Sequence, residues 1–177
     1  MQESSDLNVV KDTAAFTERG KRFQQSNDLK KNEEENLVEP LHLGLVVDDD
    51  GERCAFLTDR GDLVSLRDLT RLLVSFELHE HRMVRVVLDD EFGSATDWLT
   101  SVGSAIQVDR ASRNRLPADL MQHKSNLGVT ADHRVWFGGD YPACDTILTL
   151  ARVLQALSLT DRPMSEVLRS LDNGSPK

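Results

Sequence analysis

Asp48, Asp50 and Glu52 stand at alternate positions within GLVVDDDGERCAFLTDRGDLV, residues 44–64. In an extended chain that spacing sends all three carboxylates the same way. Three carboxylates on one side of a turn suit a hard divalent cation such as Mg²⁺, which takes few protein ligands and completes its shell with water or phosphate. Gly51 gives the turn its backbone freedom. The same residues equally suit a solvated acidic turn at the end of a strand. An EF-hand fits poorly, because the sixth loop position counted from Asp48 holds Arg53 where a glycine is required.

Other clusters lead to weaker chemistry. His79 and His81 sit at i and i+2, which diverge on a helix, so a polar helix end is expected there and not a metal site. DRASRNR, residues 109–115, carries three arginines able to contact a phosphate or carboxylate. No GxSxG elbow is present, so a Ser-His-Asp hydrolase has no support. Cys54 and Cys144 lie far apart without a CxxC pattern, as expected of small buried apolar residues in a reducing cytoplasm. Trp98 and Trp136 lie in apolar surroundings and are expected to pack in the core or at its edge.

The chain that must position these groups has 177 residues, 39% hydrophobic and 29% charged, with net charge −9. That length suits one domain, or one and part of a second. The negative balance disfavours nucleic acid and anionic membrane surfaces as partners. No apolar run approaches the roughly 20 residues of a membrane helix, and no secretory signal is visible at the N-terminus. A cytoplasmic protein is expected.

Residues 1–36 are polar and charge-mixed, and read as a mobile or loosely helical lead-in. Thereafter strands and helices alternate. LHLGLVV reads as a buried strand ending at the acidic loop, and CAFLTDRGDLVS as a hairpin turning at Arg60-Gly61. Ser65 opens a helix with Asp68 three residues on, and Leu66, Leu69, Leu73 and Phe76 on one face. MVRVVL and AIQV are strands, with a short helix between them over SATDWLTSVG. Pro117 starts a helix, and HRVWFG is a further strand. DTILTLARVLQALSL is apolar on nearly all sides and is expected to be buried, and RPMSEVLRSL forms a last amphipathic helix. Strands separated by such helices predict an α/β fold: three layers, helix-sheet-helix, on a mixed, mainly parallel sheet, plus a hairpin carrying the acidic loop.

Two resemblances bear on the acidic loop. A strand ending in D-x-D-G is similar to the nucleophile loop of haloacid-dehalogenase-type phosphatases, where Asp48 would attack phosphorus and Asp50 would move the proton. That pattern wants Thr or Val where Glu52 stands. It also wants a lysine ahead of a second acidic pair, and none lies between Asp50 and Asp89. LHLGLVVDDDGERCAFLTDRGDLVSLRDLTRLL instead resembles the metal-binding segment of the phosphohexomutases, the phosphoglucomutase/phosphomannomutase family. There a strand ends in D-G-D-(G/A)-D-R and a D-x-x-G turn follows. Asp48, Asp50, Gly51 and Arg53 match, as does the turn from Asp59 to Asp62. Asp49 and Glu52 depart from the pattern.

The similarity continues in GVTADHRVWFGGDYPACDTILTLARVLQALSLTDRPMSEVL. It follows the family's third-domain plan of a sugar-recognition loop G-E-x-S-G-H, a strand, an aromatic-rich loop and two helices. Residues 37–80 then resemble the end of a second domain and 81–174 a third. The resemblance implies Asp48, Asp50 and Glu52 as a weakened Mg²⁺ site. It implies Arg53 and His133 as phosphosugar-binding residues.

The family's chemistry also needs a phosphoserine and a terminal phosphate-binding domain, and these 177 residues contain nothing resembling either. Val129, Ala131 and Asp132 replace Glu, Ser and Gly of the sugar loop, and no catalytic residue is assigned. The expectation is a degenerate, truncated phosphohexomutase homologue, a pseudoenzyme that binds a protein partner, itself or a phosphosugar. The alternative is a Mg²⁺-dependent phosphoglucomutase/phosphomannomutase fragment or subunit of carbohydrate metabolism, completed by another chain.

Overall fold

A computed structural model describes residues 42–92 and 96–172. The lead-in expected over residues 1–36 lies outside the described residues. Strands β1 (Gly44–Val47) and β2 (Cys54–Leu57) form an antiparallel hairpin, with Val47 opposite Cys54 and the acidic loop as its connection. The expected second turn at Arg60-Gly61 forms: Leu57 bridges Leu63, the Thr58 N–H bonds to the Asp62 carbonyl at 2.9 Å and the Val64 N–H to the Phe56 carbonyl at 2.8 Å. The Thr58 hydroxyl reinforces the turn, accepting the N–H groups of both Arg60 and Asp62 at 3.2 Å.

Ser65 caps helix α1 (Leu66–Glu80), accepting the Asp68 N–H at 3.1 Å while its hydroxyl donates to the Asp68 carboxylate at 2.6 Å. Then follow β3 (Val84–Asp89), the one-turn helix α2 (Asp97–Thr100), β4 (Ile106–Ala111), α3 (Leu116–His123), β5 (Leu127–Thr130), β6 (Arg134–Phe137) and β7 (Ala143–Cys144). The chain closes with α4 (Thr146–Ser158) and α5 (Met164–Asp172). No described helix is long and apolar enough to cross a membrane.

The second sheet has the order β4-β3-β5-β6-β7. Its β4-β3-β5 half is parallel and its β5-β6-β7 half antiparallel, so the sheet is mixed α/β as expected but divided evenly between the two pairings instead of mainly parallel. Alternation along β3 sorts the two faces. Val86 and Leu88 join the main core with Leu73 of α1, Val153 of α4 and Met164 of α5. Val87, between them, packs on the opposite face with Leu116 and Leu120 of α3. Cys54 and Phe56 of the hairpin belong to the main core as well. Burying a residue such as Phe56 stabilises by about 1.5–3 kcal/mol, so the hairpin is fixed to the sheet layer and with it the acidic loop.

One expectation is corrected. Helix α4 is not buried all round: Val153 is fully buried, but Ile147 is 68% and Leu154 49% exposed. The helix packs against α1 and the core along one stripe, leaving the other to solvent.

Candidate functional site

The acidic loop is not extended. Gly51 N–H bonds to the Asp48 carbonyl at 3.2 Å, and Gly51 adopts φ +73°, so residues 48–51 form a tight turn. Strand alternation therefore does not govern Asp48, Asp50 and Glu52. Asp48 Oδ1 accepts the Arg53 N–H at 3.1 Å while its Oδ2 lies 2.7 Å from Arg53 Nε. Asp50 accepts the Glu52 N–H at 3.0 Å. Glu52 Oε2 takes a hydrogen bond from Arg134 Nε at 2.9 Å.

Arg134 opens β6, and its position is set by the backbone. It forms an isolated antiparallel bridge with Arg53, and the Cys54 N–H bonds to the His133 carbonyl at 3.2 Å. The Gly51 carbonyl in turn receives the Thr146 N–H at 3.1 Å, so the turn also meets the start of α4. Besides Glu52, Arg134 reaches Asp50 Oδ2 at 3.7 Å and donates through Nη1 to Asp132 Oδ2.

Asp132 carries the network to the carboxyl ends of β3 and β5, where ligands commonly bind in α/β sheets. Its carboxylate is 2% exposed and also accepts the Thr130 hydroxyl. Arg113 Nη1 stands 3.6 Å from it, and Arg113 Nη2 lies 3.8 Å from Asp89 and 3.0 Å from Glu91. Asp89, the last residue of β3, accepts the Ala131 N–H at 2.9 Å. One chain of ion pairs thus runs from Asp48 through Arg53, Asp50, Arg134, Asp132 and Arg113 to Asp89.

The charges shift titration accordingly. Burial, and then the adjacent Asp50, hold Asp48 above the usual carboxylate range. Asp50 is held below it: its own burial pushes upward but is outweighed by the Asp48 hydrogen bond, the Glu52 N–H and the guanidinium of Arg134. Burial alone would lower Arg134, yet its bond to Glu52 and the charge of Asp132 raise it. Burial pushes both Cys54 and Cys144 up to about 12, the behaviour of packing thiols and not nucleophiles.

Each residue singled out in the sequence now has a place. Arg53 spends its guanidinium on Asp48 and, at 3.9 Å, on Asp50. His133 is half-buried with a left-handed backbone, φ 69°, and burial lowers its pKa. Asp48 and Asp50 share Arg53, and Asp50 and Glu52 share Arg134, so guanidinium groups link the three carboxylates. Among the described residues no group of three or more His, Cys, Asp and Glu side chains is arranged to hold a metal ion. The residues as arranged do not fit a three-carboxylate Mg²⁺ site.

The arginines of DRASRNR divide. Arg113 enters the network, whereas Arg110 and Arg115 line a polar cavity of 420 Å³ with Asp90, Ser112 and His123. His81 pairs with Glu77 at 3.3 Å on the last turn of α1, and Trp98 stacks on Phe92 at 6.1 Å. Arg134, and Asp132 as its partner, were the residues that sequence reasoning passed over. The HR step between a loop and a strand carries no period of its own. The available signal was charge balance: four loop carboxylates demand more countercharge than Arg53 supplies.

No family model matches the sequence, and no curated protein matches it significantly. Solved structures do share its fold. A protein assigned as a phosphomannomutase from Thermus thermophilus superposes with a TM-score of 0.63 at 15% identity, over 75% of this chain and 30% of that one. A phosphoglucomutase/phosphomannomutase family protein from Burkholderia thailandensis gives 0.60 at 21% identity, over 73% and 28%. The exocytosis-sensitive phosphoprotein pp63/parafusin, a phosphoglucomutase from Paramecium, gives 0.59 at 14% identity, over 73% and 24%. The chain therefore has the α/β fold of part of a phosphohexomutase and spans under a third of the length of these structures.

Proposed function

We propose that this chain is a degenerate phosphohexomutase homologue, non-catalytic by itself, that serves as a binding or interaction module. The observation that carries the reading is Val129. The resemblance asks that position for a carboxylate that accepts sugar hydroxyls. Here the side chain is apolar, fully buried in β5 and part of the main core. A valine accepts no hydrogen bond, and its burial turns the position from recognition to packing. Neighbouring polar groups are likewise committed inward: Thr130 to Asp132, the Ala131 N–H to Asp89, and Asp132 to Arg134.

An interaction role is supported by large apolar side chains left to solvent. Tyr141 is 89% exposed, and Ile147 and Leu154 stand two turns apart on the open stripe of α4. The deciding experiment is turnover of glucose and mannose phosphates by the purified chain with Mg²⁺ present. We expect no isomerised product. Accumulation of product that depends on this chain would sink the proposal.

A further inference from the structure

We infer that Arg134 takes, in this chain, the place of the divalent cation that such an acidic loop would otherwise recruit. The loop brings four carboxylates within five residues, Asp48, Asp49, Asp50 and Glu52. The countercharge of Asp48, Asp50 and Glu52 is internal: Arg53 on Asp48 at 2.7 Å, and Arg134 on Glu52 at 2.9 Å and on Asp50 at 3.7 Å. Arg134 comes from a different sheet, and its side chain is 20% exposed. It also holds Asp132, whose carboxylate has almost no contact with water.

The competition between the two kinds of cation is set by what each must give up. Mg²⁺ demands near-octahedral oxygen ligands and sheds its water reluctantly. A guanidinium is weakly hydrated, planar and able to bond several carboxylates at once. To gather Glu52 with Asp48 and Asp50, a metal would have to displace Arg134. Asp132 would then lose a buried partner, a strongly unfavourable change. The backbone bridge between Arg53 and Arg134 further keeps the guanidinium close to the loop. The loop is therefore a metal-independent clamp that ties the β1-β2 hairpin to β6.

This inference rests on the loop geometry and is separable from the functional proposal. The test is titration of the full chain with Mn²⁺, followed by electron paramagnetic resonance, and thermal unfolding with Mg²⁺ or a chelator. The wild type is expected to take up no cation saturably at millimolar concentration, with the same midpoint in both solutions. Arg134→Gln should melt lower and gain saturable Mn²⁺ uptake, with Mg²⁺ raising its midpoint, and adding Asp50→Asn should abolish the gain. Arg134→Lys, which keeps the charge, should not bind. Saturable uptake by the wild type that vanishes in Asp50→Asn overturns the inference, as does a folded Arg134→Gln without uptake. Should Arg134→Gln not fold, the wild-type titration and Arg134→Lys decide. Sugar-phosphate turnover without cation uptake would defeat only the functional proposal, and uptake without turnover only this one.

Discussion

Arg134 Nε donates to Glu52 Oε2 at 2.9 Å, joining two side chains 82 residues apart and bolting the acidic loop onto the second sheet. The two ends of this contact differ in exposure, and that difference sets the expected energetics.

Glu52 is 44% exposed, so solvent screens its share of the pair, and Glu52→Gln is expected to cost less than about 1 kcal/mol. Arg134→Gln also leaves the buried Asp132 short of a partner, with Arg113 at 3.6 Å remaining, and should cost about 2–3 kcal/mol. Urea unfolding of both single variants and the double variant measures the coupling. Equal losses for the two single variants would contradict the assignment of Asp132 as the buried anchor.

Val129 is fully buried, so restoring a carboxylate there does not restore a sugar contact. Val129→Glu would bury a carboxyl against the core and should destabilise by about 4 kcal/mol or more, while Val129→Thr should lose about 1–3 kcal/mol. Circular dichroism melts of the two variants provide the comparison. A stable Val129→Glu that binds a hexose phosphate would show the position to be open.

His133 yields a pH dependence. Burial holds its pKa below the ordinary 6.5, although Asp132 pulls the other way. Between the folded value and 6.5 the unfolded chain binds a proton that the folded chain lacks. Stability contributed through this residue therefore rises with pH across that window and falls on acidification, with no contribution above it. Asn tolerates the left-handed backbone at this position, φ 69°. His133→Asn should accordingly flatten the wild-type decline between neutral and mildly acidic pH, read from urea midpoints on either side of 6.5. An unchanged slope would assign that decline to other groups.

Two glycines separate backbone from side-chain crowding. A Cβ on Gly138 would lie 1.7 Å from the Ser125 carbonyl oxygen, which cannot yield without moving the chain between α3 and β5. On Gly128 it would meet Leu116 Cδ2 at 2.7 Å and Leu120 Cδ1 at 2.9 Å, the movable ends of side chains. Gly138→Ala should cost more than about 3 kcal/mol and Gly128→Ala about 1 kcal/mol. Thermal melts give the order, and the reverse order would contradict the packing described for this sheet.

The sequence by itself determined what depends on neighbours along the chain. Ser65 with Asp68 marked the start of α1, Pro117 lay within the first turn of α3, and the apolar period of residues 66–76 named a buried face. These signals are local because capping bonds and helical faces link residues three or four apart. The order of strands and helices likewise pointed to an α/β sheet, but β5, which joins β3 to β6, and β7 were not legible in it.

Tertiary structure alone decided the fate of the charges. Whether Glu52 faces Asp48 or Arg134 depends on how the hairpin meets β6, and the β5-β6 register places Thr130 opposite Arg134. Asp59 similarly receives the N–H and hydroxyl of Ser165, 106 residues away, which fixes the start of α5 beside the Asp59–Asp62 turn. No local period encodes such contacts: a one-residue slip in strand pairing would turn these side chains to the opposite face. The acids were legible as a cluster, but their countercharge became visible only once the chain had folded.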